Sequence, residues 1–95
     1  SELISAFKGI SDIKSVYLIG DSAKGTHAPD SPVELLIMKR GDPKRIRKIL
    51  NDVSSEIGRE IEARIMTPLE YGELARDNPK LHDKLEREKI RLVIS

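Results

Sequence analysis

The chain has no cysteine and no tryptophan, holds two histidines, and is 3% aromatic over its 95 residues. Without cysteine there is neither a disulfide nor a thiolate metal site, and the composition suits a reducing compartment, so a cytoplasmic setting is expected. His27 and His82 have no partner at ligand spacing and read as solvated side chains rather than metal ligands. The scarcity of aromatics means that the core must be built from Ile, Leu and Val. No apolar run is longer than stretches such as Val16 to Ile19 or Leu35 to Met38, far short of a membrane span, and no signal peptide is visible. No membrane partner is expected. Charge of one sign is missing too. Seventeen basic residues against sixteen acidic leave a formal net charge of +1, which is no electrostatic footprint for nucleic acid.

What is present fits one globular domain spanning residues 1–95, at 38% hydrophobic and 35% charged. "ELISAFK" (2–8) reads as a short helix ended by Gly9. "IKSVYLI" (13–19), rich in β-branched and aromatic residues and closed by Gly20, reads as a strand. "DSAKGTHAPDSP" (21–32) reads as loop. "VELLIMK" (33–39) is nearly continuous in apolar character, which predicts a central strand buried on both faces.

Asp42 as N-cap, Pro43 at the first helical position and Gly58 past the end frame a helix over 43–57. Ile46, Ile49, Leu50, Val53 and Ile57 form its apolar stripe. "REIEARIM" (59–66) alternates, with Ile61, Ala63 and Ile65 on one face and Glu60, Glu62 and Arg64 on the other, as a half-buried strand does. "TPLE" (67–70) is a capping box that starts a helix through about Arg76. Asn78-Pro79 interrupts it, "KLHDKLERE" makes another helix, and "KIRLVI" (89–94) reads as an edge strand. The fold class implied is α/β, a mixed β-sheet with helices packed against it.

Two places could carry chemistry. A strand that ends in glycine and is followed by exposed amides can receive a phosphate, to which Ser22 could add a hydroxyl and Lys24 a charge; Gly20 and Gly25 could equally serve only a tight turn. The basic cluster Lys39, Arg40, Lys44, Arg45, Arg47 and Lys48 could touch nucleic acid, although a charged helix face is usually a solvated face and Asp42, Asp52 and Glu56 dilute this one.

"LIGDSAKG" followed by "SPVELLIM" resembles the minimal nucleotidyltransferases of the polymerase β-like superfamily, whose signature runs Gly-Ser-x-Ala-Arg-Gly and then Ser-Asp-x-Asp-Leu. Residues 56–93 resemble the branch in which such a domain follows a winged-helix segment in transcription regulators. The likeness runs from about Val16 to near the end of the chain. It implies a nucleotidyltransferase fold, with phosphate binding at Gly20, Ser22, Lys24 and Gly25.

Set against the family pattern, Gly20, Ala23 and Gly25 match. The triphosphate-holding serine falls on Asp21, which brings repulsion in place of a hydroxyl, though an aspartate there can cap a following helical turn. The arginine falls on Lys24, which keeps the charge without the planar fork. The two metal-binding aspartates fall on Pro32 and Glu34, and the third acid falls on Glu62. Proline offers no ligand atom, and glutamate moves its carboxylate by a methylene, more than a fixed Mg²⁺ site tolerates. Pro32, Glu34 and Glu62 thus read as vestigial positions, and the expectation is a degenerate, non-catalytic domain without metal or other cofactor.

On this reading the domain is a regulatory module, either sensing a nucleotide or phosphate or serving association, for instance as a homodimer. It would be the C-terminal part of a transcription regulator whose missing N-terminal winged-helix part binds DNA. The alternative is an active Mg²⁺-dependent nucleotidyltransferase using Glu34 and Glu62, with Asp30 recruited for metal, or an antitoxin-like partner of a HEPN protein.

Overall fold

The computed structural model describes Phe7 and residues 13–25 and 30–92. In chain order its elements are β1 (Ile13–Leu18), α1 (Gly20–Lys24), β2 (Val33–Lys39), α2 (Lys44–Ile57), β3 (Ile61–Met66), α3 (Pro68–Asp77), α4 (Pro79–Glu88) and β4 (Ile90–Leu92). The four strands form one sheet in the order β3-β2-β1-β4. β1 runs antiparallel to both β2 and β4, whereas β2 and β3 are parallel, so the sheet is mixed as expected. The expected helix over 2–8, apart from Phe7, lies outside the described residues. So do His27 and the end of the last expected strand.

β2 is the centre of the molecule. Leu35, Leu36 and Ile37 have no exposed surface. Successive residues of a strand point to opposite faces, so this continuous apolar run feeds two cores. On one face Leu35 and Ile37 pack with Val16, Phe7, and Ile46 and Leu50 of α2. On the other, Leu36 and Met38 pack with Ile19, Tyr71 of α3 and Leu85 of α4. Each such side chain contributes about 1.5–3 kcal/mol relative to exposure. The result is a three-layer arrangement with α2 on one side of the sheet and α3 and α4 on the other.

The caps explain where the helices begin. Thr67 accepts a bond from the Glu70 amide at 3.0 Å and Glu70 returns one to the Thr67 amide at 2.8 Å, the capping box expected of "TPLE". Asn78 ends α3 and also accepts from the Leu81 amide at 3.3 Å, starting α4. Asp42 caps the entry to α2 by accepting from the Lys44 amide at 3.0 Å, and the helix starts one residue later than expected because Pro43 lies ahead of it.

Three readings are corrected. The segment after Gly20 is not all loop, because residues 20–24 form the helical turn α1, closed by Gly25 at φ 70°. β3 starts at Ile61, not at 59: the Arg59 amide closes α2 on the Ser54 carbonyl and its guanidinium reaches the Ser31 carbonyl, which takes the residue out of the ladder. Ile57, at the end of the apolar stripe, is 36% exposed.

The first turn of α2 has no acidic residue, while Lys44, Arg45 and Arg47 stand there exposed. Asp52 and Glu56 lie toward its C-terminal end. This order runs against the helix dipole, whose complementary arrangement is worth about 0.3–1 kcal/mol per charge.

β1, α3 and α4 are joined by a polar network. The Lys89 ammonium lies over the rings of Tyr17 at 4.9 Å and Tyr71 at 5.0 Å, and it pairs with Glu86. The Tyr71 hydroxyl donates to the same Glu86 carboxylate at 2.5 Å. His82, expected to be solvated, packs its ring on Tyr71 with centroids 5.1 Å apart. The bonds from Lys89 and Tyr71 hold the Glu86 carboxyl below its ordinary range. Burial first, and then the hydrogen bond to Glu86, push the Tyr71 phenol above its ordinary range. A carboxylate whose folded pKa is depressed stabilises the fold above its unfolded value of 4.5, and that contribution is lost as pH falls through the lower, folded value. Thermal unfolding followed from about pH 6 down to about pH 3 should therefore show a fall in Tm that is shallower in Glu86→Gln. Parallel curves for the two proteins would remove Glu86 from the acid response.

Candidate functional site

The site forms where β2 begins. Glu34 on β2 and Glu62 on β3 are register partners in the parallel pair, so their side chains leave the same face of the sheet. Both line a cavity of about 270 Å³ with Ile19, Leu35, Ala63 and Arg64. Two carboxylates expected from the sequence are thus brought together. Arg64, two residues beyond Glu62 on the same face, had no assigned role; its signal was the period-two spacing alone.

The rest of the expected site makes contacts within the chain, with Ser22 alone buried. The Asp21 amide, in the first turn of α1, donates to Glu34 Oε2 at 3.1 Å. Gly20 has φ +57°, so the backbone favours glycine, and a Cβ built there would stand 2.6 Å from Glu34 Oε2, the movable end of that side chain, which would have to shift. Glu34 thus delivers its own anionic group to the glycine turn where a phosphate was expected. The Ser22 side chain is buried, and its hydroxyl oxygen accepts from the Glu34 amide at 3.0 Å, tying α1 to β2. The Lys24 ammonium pairs with Glu88 of α4 at 3.3 Å. Gly25 ends α1 by donating its amide to the Asp21 carbonyl. Asp21 provides no side-chain cap, contrary to the capping role considered for it, because the residue preceding α1 is Ile19.

Pro32 precedes β2 and presents no donor atom. Asp30 does not line the cavity, and among the described residues no three His, Cys, Asp or Glu side chains group as metal ligands do. A magnesium ion wants near-octahedral oxygen ligands, commonly one or two carboxylates together with substrate phosphates. Glu34 accepts from the Asp21 amide and lies beside Gly20. The residues present do not fit a two-metal transfer site.

No protein-family profile and no curated protein matches this chain. Solved structures do. A mutant of the toxin-antitoxin MntA-HpeT superposes with a TM-score of 0.66 at 13% identity, over 99% of this chain and 71% of that one. A toxin-antitoxin structure with AMP-PNP gives 0.65 at 13%, over 99% and 72%. A third, an MntA-HpeT mutant in which two aspartates two positions apart are replaced by glutamate, gives 0.65 at 15%, over 100% and 74%. The chain has a nucleotidyltransferase-type fold. Among its described residues no helix is long and apolar enough to cross a membrane.

The contact between Glu34 and Gly20 can be tested by a double-mutant cycle. Gly20→Ala should cost about 1–3 kcal/mol through the left-handed backbone, plus a clash with the carboxylate. In the Glu34→Ala background the clash disappears, so the cost of Gly20→Ala should drop measurably in urea unfolding. Equal costs in the two backgrounds would show that the carboxylate does not press on Gly20.

Proposed function

We propose that this chain is the nucleotidyltransferase-fold member of a toxin–antitoxin-type protein pair, an antitoxin-like partner of a HEPN protein that acts by association, with its transfer site closed by its own residues. The observation that carries the pairing is the likeness of fold over 99–100% of this chain to proteins solved as toxin-antitoxin. Closure of the site is supported by the hold of the α1 amide on Glu34, by Pro32 at a metal-ligand position and by the diversion of Lys24 to Glu88.

Neutralising phosphate charge and activating a hydroxyl is the work of the metals in nucleotidyl transfer. A site that cannot assemble them, and whose glycine turn already faces a carboxylate, retains shape without the chemistry. Ser22 and Lys24, the candidate nucleotide contacts, are used to fasten α1 to β2 and α4. The regulator setting, a module behind a DNA-binding winged helix, rests on the resemblance of residues 56–93; the likeness to toxin-antitoxin structures favours pairing over it.

Two measurements test the reading. Incubation with Mg²⁺ or Mn²⁺ and labelled ATP, CTP, GTP or UTP should give no transfer, either to the chain itself or to a co-expressed HEPN protein. Co-expression should nonetheless relieve the growth arrest caused by that HEPN protein, and Glu34→Ala should leave the relief intact. Label transfer that disappears in Glu34→Ala would replace the closed-site reading with an active enzyme, and absence of any relief would end the pairing.

A further inference from the structure

The five exposed cations Arg40, Lys44, Arg45, Arg47 and Lys48 form a patch that the sequence alone makes look diluted. Four of them fall within five consecutive residues of α2, about 6 Å of helix axis. Lys44 and Lys48 leave the helix on the side away from Ile46 and Leu50, which are buried against the sheet, and Arg45 and Arg47 leave it on the two flanks.

The acids near them offset them only in part. Asp42 accepts from the Lys44 backbone amide and stands as the one acid at the helix start. Asp52 reaches Lys48 alone, at 3.9 Å with both side chains well exposed, a contact of little strength. Glu56 lies two turns further on. Among the described residues Arg40, Lys44, Arg45 and Arg47 have no acidic partner within 4.0 Å. Away from the patch the chain carries twelve basic and sixteen acidic residues, so the net charge of +1 conceals a polar molecule. The helix holds these cations at the end where its own dipole opposes them. Against the four cations of α2 the helix start has Asp42 alone, an imbalance that the packing of the fold does not call for.

We infer that this face binds the phosphate backbone of a nucleic acid. The composition of the patch favours that partner over an acidic protein. Protein interfaces are centred on buried apolar and aromatic anchors and are poor in lysine, whereas nucleic-acid interfaces are strongly cationic, with most hydrogen bonds going to phosphate. The exposed large apolar residues Ile57, Leu69 and Ile90 lie away from the five cations in sequence. None of the five is aromatic, so base stacking has no platform there, and binding is to backbone charge without sequence preference. This surface stands on α2, across the sheet from α3 and α4, and the inference holds whether or not the pairing does.

Fluorescence anisotropy with a labelled duplex DNA of about 20 base pairs, at about 50 mM salt, tests it. Binding should weaken steeply as salt is added, with a slope of about −0.9 in log K against log salt for each phosphate neutralised, hence between about −3 and −5 for this patch. Arg45→Glu/Arg47→Glu should lose tenfold or more in affinity while its Tm stays level or rises, because acids suit that end of the helix. A patch with only a structural role would instead lose Tm. Lys44→Gln/Lys48→Gln should lower the salt slope by about two units, which reads the contact even if the reversal variant folds poorly. Absence of duplex binding, or binding unchanged in both variants, would overturn the inference. Equal affinity for poly-L-glutamate of matched charge would overturn it in favour of an acidic polypeptide partner.

Discussion

Strand β2 has no face open to water from Leu35 to Ile37, and most of the molecule follows from covering it. A strand buried on both sides needs a layer on each, and a 95-residue chain has few elements to supply them. One long helix, α2, covers the face carrying Leu35 and Ile37, and the connection it makes brings β3 in parallel beside β2. The other face needs two shorter helices, α3 and α4, joined at Asn78-Pro79. β1 and β4 then extend the sheet in the antiparallel sense. Removing a large aliphatic side chain from such a strand costs about 2–5 kcal/mol, a large share of the stability of so small a domain.

The site is the place where that burial runs out. At Glu34 the strand leaves the core, and its side chain must find polar company. It finds the α1 amide, while Glu62 stands in register beside it as a like charge and Arg64 lines the same cavity. The extra methylene of glutamate lets the carboxylate reach back to the turn, where it accepts the Asp21 amide and fills the space that a Cβ at Gly20 would need. The Ser22 hydroxyl, accepting the amide of the same residue, locks the pair from the other direction. The Asp21 amide and Ser22 are thereby used to hold α1 to β2, and Lys24 to hold α1 to α4.

Sequence reading succeeded where a local rule and the tertiary demand agree. The uninterrupted apolar run of β2, the alternation of β3, the capping box at Thr67 and the glycine after α2 each predict an element the fold keeps, with ends displaced by a residue or two. It failed where a side chain reached across sequence. Arg59 left the β3 ladder because its partner is Ser31, 28 residues away, which no periodicity can announce. His82 looked like a solvated side chain until α4 placed it against the Tyr71 ring. For the site, Glu34 and Glu62 were legible together only through the family resemblance, and their shared face follows from the parallel register. The capture of Glu34 by α1 was not legible, because it needed the loop after Gly20 to be helical. The charge on α2 was counted correctly, but sequence proximity of Asp42 and Asp52 to the cations does not say which atoms they meet.

Closure of the site and integrity of the fold rest on the same atoms, and that limits how such a chain can change. Substituting Glu34 by aspartate would shorten the side chain toward a metal-binding length but withdraw the acceptor from the Asp21 amide and the packing from beneath Gly20. Pro32 would still offer no second ligand, and Lys24 would remain with Glu88. The Asp21 amide is exposed, so water takes the place of the lost acceptor and the change costs mainly the tie between α1 and β2. A single Glu34→Asp change therefore loosens that tie without completing a ligand set, whereas surfaces such as the outer face of α2 can vary at almost no cost to the core.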